Sequence, residues 1–220
     1  MNLAIFDLDN TLLAGDSDFL WGEFLAEQGL VDGDWYRQEN ERFYQQYKEG
    51  TLDIFEFLAF SLKPLSEHNP DFLAGLHRQF MRQKILPIIS RASRDLVEKH
   101  RSAGDKLLII TATNLFVTKP IAAEYGVDTI IATEPEMINN RYTGKVQGTP
   151  CFQHGKVERL QQWLDEHGFS LNGSWFYSDS HNDIPLLEKV THPVAVDPDP
   201  ALKERAGQSG WKIISLHGPS

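Results

Sequence analysis

From Pro87 onward the sequence alternates short apolar runs with amphipathic stretches that stop at glycine, and few folds accommodate that rhythm. A helix is expected over 90–103, ended by Gly104, then a strand over 106–110. A second helix is expected over 115–125, ended by Gly126, and a strand over 128–132. Asn139-Asn140 reads as a hairpin turn leading into 142–145. A helix over 156–167 stops at Gly168, and a strand over 174–177 precedes a short helix over 184–189. Apolar runs at 193–196 and 212–214 close the series, with 193–200 read as a proline-rich strand exit. Alternating strands and helices place a parallel sheet between two helical layers. The run Leu3 to Phe6 adds one more buried strand, ending in acids.

Between that first strand and Pro87 the period changes. Ser17-Asp18 is placed to cap a helix carrying Phe19, Leu20, Trp21, Phe24 and Leu25. Residues 34–48 are polar with Tyr36, Phe43, Tyr44 and Tyr47 interleaved, and Gly50 stops them. Helical stripes follow at 51–62 and from Pro70 to about Lys84, and no strand is expected between Leu12 and Ile88. The fold class expected is therefore α/β, a doubly wound parallel sheet with a Rossmann-like core at 1–13 and 87–220. A helical cap domain is inserted at 14–86. A chain of 220 residues is long enough for both.

Charge and composition narrow the partners. A formal net charge of −10 repels nucleic-acid backbone, so no nucleic-acid partner is expected. A small anionic substrate is still allowed, because a metal and a lysine invert the local field. No apolar stretch approaches the roughly 20 residues that span a bilayer, and the N-terminus lacks a basic start and long apolar run. The single Cys151 excludes an intramolecular disulfide. A cytoplasmic protein with no membrane partner is expected, and nothing in the sequence sets its oligomeric state.

Four polar clusters follow strand ends or helix starts. Asp7-Leu8-Asp9-Asn10-Thr11 follows the first strand. Its like charges need compensation by a metal or a lysine, although a lone Asp-x-Asp is common in solvated turns. Thr111-Ala112-Thr113-Asn114 follows the strand over 106–110, where a hydroxyl either caps a helix or binds phosphate. Lys156 opens a helix, where the dipole does not favour a cation. Ser178-Asp179-Ser180-His181-Asn182-Asp183 follows the strand over 174–177. Each cluster alone has an ordinary structural explanation. The ordered set is far more specific, because ligands of open α/β sheets bind outside the carboxyl ends of the strands.

The set resembles the haloacid dehalogenase superfamily in its phosphatase form. Residues 178–184 resemble the phosphoserine phosphatase branch, and Asp7 to Trp21 is similar to that branch's histidinol-phosphatase-like members. The chain departs from phosphoserine phosphatases in having Thr111-Ala112 for Ser-Gly and Asp16 for Glu.

The resemblance implies a magnesium-dependent phosphomonoesterase acting on a small phosphate monoester. Asp7 would be the nucleophile that forms an aspartyl-phosphate, and Asp9 the acid and base. Magnesium would bind Asp7, the Asp9 carbonyl and Asp179. Thr111, Ala112, Lys156 and Asn182 would hold phosphate or substrate, and Asp183 would orient water or Lys156. Asp16, Ser17, Asp18 and Trp21 would face the leaving group. The segment 14–86 holds 13 acidic against 7 basic residues and 13 of the 24 aromatics. An acidic, aromatic pocket suits an ammonium and an imidazole, which favours histidinol phosphate over phosphoserine. A phosphotransferase and a non-catalytic metabolite binder are the other readings of the same fold.

Overall fold

The computed structural model describes residues 1–218. Its seven strands are β1 (Leu3–Phe6), β2 (Lys106–Asn114), β3 (Ile130–Ile138), β4 (Arg141–Gln147), β5 (Trp175–Ser178), β6 (His192–Val196) and β7 (Lys212–Ile214). They form one sheet in the order β4-β3-β2-β1-β5-β6-β7. Every neighbouring pair is parallel except the β3–β4 hairpin. Asn139 and Asn140 turn that hairpin, both with positive φ (50° and 58°), the backbone that a two-residue turn between twisted strands requires.

Between β1 and β2 come α1 (Ser17–Glu27), α2 (Gly33–Glu49), α3 (Ile54–Ser61), α4 (Lys63–Ser66), α5 (Pro70–Phe80) and α6 (Arg91–Ser102). The remaining helices are α7 (Leu115–Glu124), α8 (His154–His167), α9 (Ile184–Leu187) and α10 (Pro200–Ser209). The α/β class and the parallel, doubly wound sheet are as expected. No described helix is long and apolar enough to cross a membrane.

Successive strand side chains point to opposite faces, so β1 divides its residues between two cores. Ala4 and Phe6 join Ile109, Tyr177 and Val194 beneath α1, α5, α6 and α7. Leu3 and Ile5 join Leu108, Ile110 and Phe176 beneath α8, α9 and α10. The chain winds one way through β2 and the other through β5, making β1 the switch point. Phe6 is level with Ile109 and with Tyr177, so the carboxyl ends of β1, β2 and β5 open at one height.

The helical stretch leaves and rejoins the sheet through adjacent segments. Leu13 pairs with Ile89, and the Ala14 N–H donates to the Ile88 carbonyl at 2.9 Å. Trp21 of α1 packs on Phe80 and Phe116, with centroids 5.1 and 5.4 Å away, joining this stretch to α7.

Three local expectations are corrected. The α1 cap is Asp16, whose carboxylate accepts from Asp18 N and Phe19 N, rather than Ser17-Asp18. β2 runs on to Asn114, which caps α7 by accepting from Val117 N, so Thr111 lies within the strand and caps nothing. Residues 193–200 are not only a strand exit, because Pro200 opens α10 with Asp199 as its cap.

Candidate active site

Asp7 continues the line of β1, its N–H donating to the Tyr177 carbonyl at 2.9 Å. The Lys156 ammonium reaches in from the first turn of α8 and donates to Asp7 Oδ1 and to Asp183 Oδ2, each at 2.8 Å. All three residues are buried. A tight turn places the lysine: Gln153 has φ 47°, and a Cβ on Gly155 would stand 2.1 Å from the Pro150 carbonyl oxygen. Ser178 donates to the same Asp183 oxygen at 2.7 Å, fixing the carboxylate that holds the ammonium.

Thr11 stands between two acids. Its hydroxyl is 2.9 Å from Asp179 Oδ1 and 3.2 Å from Asp7 Oδ2, and it accepts from Asp179 N at 3.0 Å. Asp9 is held from both sides. Its Oδ1 accepts from Ser17 N at 2.6 Å, and its Oδ2 from the Thr113 hydroxyl at 2.8 Å. Thr111 is a weaker donor to that oxygen, at 3.4 Å.

Four carboxylates thus face one lysine. Burial raises Asp7 to about 7; Lys156 opposes the shift and Asp183 adds to it. Asp9 is raised by burial against hydrogen bonds from Ser17 and Thr113. Asp179 stands well above the carboxylate range through burial and the charge of Asp7. Burial would lower Lys156, but Asp183 and Asp7 outweigh it and raise the ammonium well above its ordinary value. The ammonium is therefore permanent, and the remaining excess of negative charge calls for protons or a cation.

The donor set fits a hard divalent cation. Asp7 and Asp179 face each other across Thr11, and every donor is oxygen, which suits magnesium better than a softer metal. Asp9 has its carboxylate committed to Ser17 and Thr113, leaving its backbone carbonyl for such a role. Among the described residues no three His, Cys, Asp or Glu side chains converge as a closed cage. Magnesium, which keeps several of its own waters, needs none.

A pocket rises from these groups. Asp7, Asp9, Thr111, Ala112 and Thr113 form its floor, and Asp16 and Asp18 its acidic side. Phe19, Phe43, Tyr44, Tyr47, Phe57 and Phe152 wall it, and among the described residues no lysine or arginine lines it, Lys156 lying beneath the floor against Asp7. Burial and the charge of Asp9 raise Asp16 to about 7. Asp18 is pushed well above the usual range by burial and by Asp16.

The structure therefore brings together Asp7, Asp9, Thr111, Ala112, Lys156, Asp179 and Asp183, with Asp16 and Asp18 beside them. Ser17 does not reach the pocket wall; it is buried behind Asp9 and contributes its N–H. Asn182 spends its carboxamide on Tyr47 O (3.1 Å) and Gln153 Nε2 (2.9 Å). Sequence reasoning placed Thr11, Thr113 and Ser178 in its clusters but gave them no role, and it missed Gln153 and Tyr47. Thr113 had a signal, because it shares a strand face with Thr111. Thr11, Gln153 and Tyr47 meet Asp179 and Asn182 far along the chain, whereas Ser178 meets Asp183 only five residues on.

Residues 4–188 match the model of the haloacid dehalogenase-like hydrolase family, most of the chain. The chain belongs to the haloacid dehalogenase-like hydrolases. Within that family it is 46% identical to a histidinol-phosphatase of Neisseria meningitidis, over 98% of this chain and 99% of the relative. It is 30% identical to a phosphoserine phosphatase of Mycobacterium tuberculosis, covering 96% of this chain and 69% of that one. A protein of unknown function from Bordetella pertussis has the same architecture, with TM-score 0.92, 46% identity and 98% of each chain covered. A substrate-bound phosphoserine phosphatase superposes with TM-score 0.71 at 19% identity, over 97% of this chain and 92% of that one, a likeness of fold. Membership makes the chain an enzyme of the hydrolase class, in the phosphatase branch that the four clusters resemble.

Proposed function

We propose that this hydrolase is a magnesium-dependent phosphomonoesterase that transfers the phosphoryl group of histidinol phosphate to Asp7 and then to water. The observation that carries the reading is the pairing of a lysine-held Asp7 with a separately held Asp9 beneath an acidic, aromatic pocket.

An Asp7 carboxylate oxygen attacks phosphorus while the bond to the ester oxygen breaks. Asp9, whose pKa burial raises, gives a proton to the departing alkoxide. It then takes a proton from the water that attacks phosphorus, and the bond to Asp7 breaks, releasing phosphate. Lys156 and the Thr111 hydroxyl offset charge on the phosphoryl oxygens, and Asp183 keeps the lysine aimed. Magnesium held by Asp7, Asp179 and the Asp9 carbonyl would supply further charge neutralisation there.

The leaving group meets Asp16 and Asp18. Histidinol carries an ammonium and an imidazole, which suit two acids and a wall of rings. Phosphoserine would instead bring a carboxylate against those acids, with no lining arginine or lysine among the described residues to receive it. The 46% identical histidinol-phosphatase supports the same choice. We assign residues 14–86 as the cap that carries these groups over the core.

The test compares kcat/KM for phosphate release from the two esters, with magnesium and after chelation. Histidinol phosphate is expected to lead by about tenfold or more, one charge-assisted contact's worth, and chelation to abolish both activities. Preference for phosphoserine would overturn the substrate, and full activity without metal would overturn the site.

A further inference from the structure

Tyr47 sits in the last turn of α2, outside every cluster that the sequence singles out, yet it lines the same pocket as Asp7, Asp9 and Thr111. Two groups from the sheet side pin it. The Asn182 amide donates to its carbonyl oxygen at 3.1 Å, and the Phe152 ring lies 5.9 Å away, tilted 41°. Asn182 is itself oriented by Gln153, whose Nε2 donates to Oδ1 at 2.9 Å. Gln153 does this from φ 47°, ψ −117°, a conformation that a residue with a side chain rarely adopts. Strain of that kind persists where the surroundings over-determine it, and it clusters at functional sites. Here it accompanies Phe152 beside the tyrosine ring and Gln153 on the Asn182 carboxamide that grips the tyrosine's carbonyl.

The clasp uses the backbone and ring of Tyr47 and leaves its hydroxyl free. Burial, then the charges of Asp7 and Asp179, hold that phenol well above its ordinary pKa, so it keeps its proton throughout the working range. The neighbouring Tyr44 feels Asp16 and then Asp179, whereas Tyr47 feels Asp7 and then Asp179. Asn182, next in sequence to the Asp183 that holds Lys156, and Phe152 thus tie Tyr47 to the phosphoryl side of the pocket. A protonated hydroxyl on a residue that lines this pocket is a ready donor, and an arriving phosphoryl group brings three oxygens.

We propose that Tyr47 is a further catalytic residue, its hydroxyl donating a hydrogen bond to a non-bridging phosphoryl oxygen of the bound ester, with Asn182, Gln153 and Phe152 as its positioning clasp. The inference rests on the phosphomonoesterase reading and adds a donor from α2 to Lys156 and Thr111.

Tyr47→Phe removes the hydroxyl and keeps both the carbonyl that Asn182 grips and the ring beside Phe152. Two esters separate the possible roles: histidinol phosphate and p-nitrophenyl phosphate, which share only the phosphoryl group. With magnesium present and thermal melting unchanged, kcat/KM should fall about tenfold or more on both, as for a lost hydrogen bond to a charged group. Inhibition by inorganic phosphate should weaken in parallel. Gln153→Ala, which frees the Asn182 amide, should lower both activities, and adding Tyr47→Phe to it should cost less than in the native protein. A smaller loss in Tyr47→Phe, or a loss confined to histidinol phosphate, overturns the proposal. Failure of the native protein to hydrolyse either ester would instead overturn the phosphomonoesterase reading.

Discussion

Asp16 serves two purposes that pull in opposite directions. As the α1 cap its carboxylate satisfies two N–H groups, yet its charge sits beside Asp9 in an enclosed pocket and its pKa rises to about 7. A folded-state pKa above the ordinary 3.8 means that the unfolded chain gives up the proton first. The stability from this group is complete below about pH 4 and is lost as pH rises through about 7. Asn caps a helix as well as Asp does. Asp16→Asn should therefore melt higher than the native protein in metal-free buffer, by roughly a few degrees at pH 8. The gap should narrow toward pH 5. The same change should lower kcat/KM for histidinol phosphate more than for p-nitrophenyl phosphate, since only the former presents a cation. A variant that melts lower at pH 8, or a gap that widens toward pH 5, would contradict this account.

At the scale of elements, the start of α8 is where backbone geometry sets chemistry. Its first turn carries Lys156, and Gly155 has no room for a methyl group against the fixed Pro150 carbonyl. Gly155→Ala should cost about 1–3 kcal/mol, as overpacking does, and should lower kcat by shifting the ammonium. Gly207 in α10 is the control, because a Cβ there meets nothing within 4 Å. Gly207→Ala should gain up to about 1 kcal/mol through helix propensity alone. Melting curves of the pair decide it; a Gly155→Ala protein as stable as Gly207→Ala would show that the turn tolerates bulk. This turn is also where the sequence could be read only in part. Lys156 is visible because a cation at a helix start is unusual, and Asp7, Asp9, Asp179 and Asp183 because they follow apolar runs. The strand end of β2 is not, since Thr111 and Thr113 share one face and either could meet Asp9. Nor is α10, whose buried stripe is only Leu202 and Ala206 behind a run of prolines. Ser17 misleads for a third reason: the first turn of α1 faces it inward, toward Asp9.

Across the whole molecule the alternation of strands and helices was sufficient for the sheet, because a right-handed crossover leaves few ways to arrange parallel strands. It was not sufficient for the pocket walls. Tyr47 and Asn182 are 135 positions apart, and only packing of α2 over the sheet makes them neighbours. The pocket is thus shared between the carboxyl ends of β1 and β2 and a helical segment joined to them by two adjacent crossings at Leu13 and Ile89. Everything proposed converges on a covalent bond between phosphorus and Asp7. The direct measurement is acid quenching of the magnesium-loaded enzyme during turnover of radiolabelled histidinol phosphate, followed by peptide mapping. A hydroxylamine-labile phosphoryl group on the peptide containing Asp7, absent from a folded Asp7→Asn protein, is the predicted result. Undiminished turnover by Asp7→Asn, or label that maps to another residue, would contradict the account.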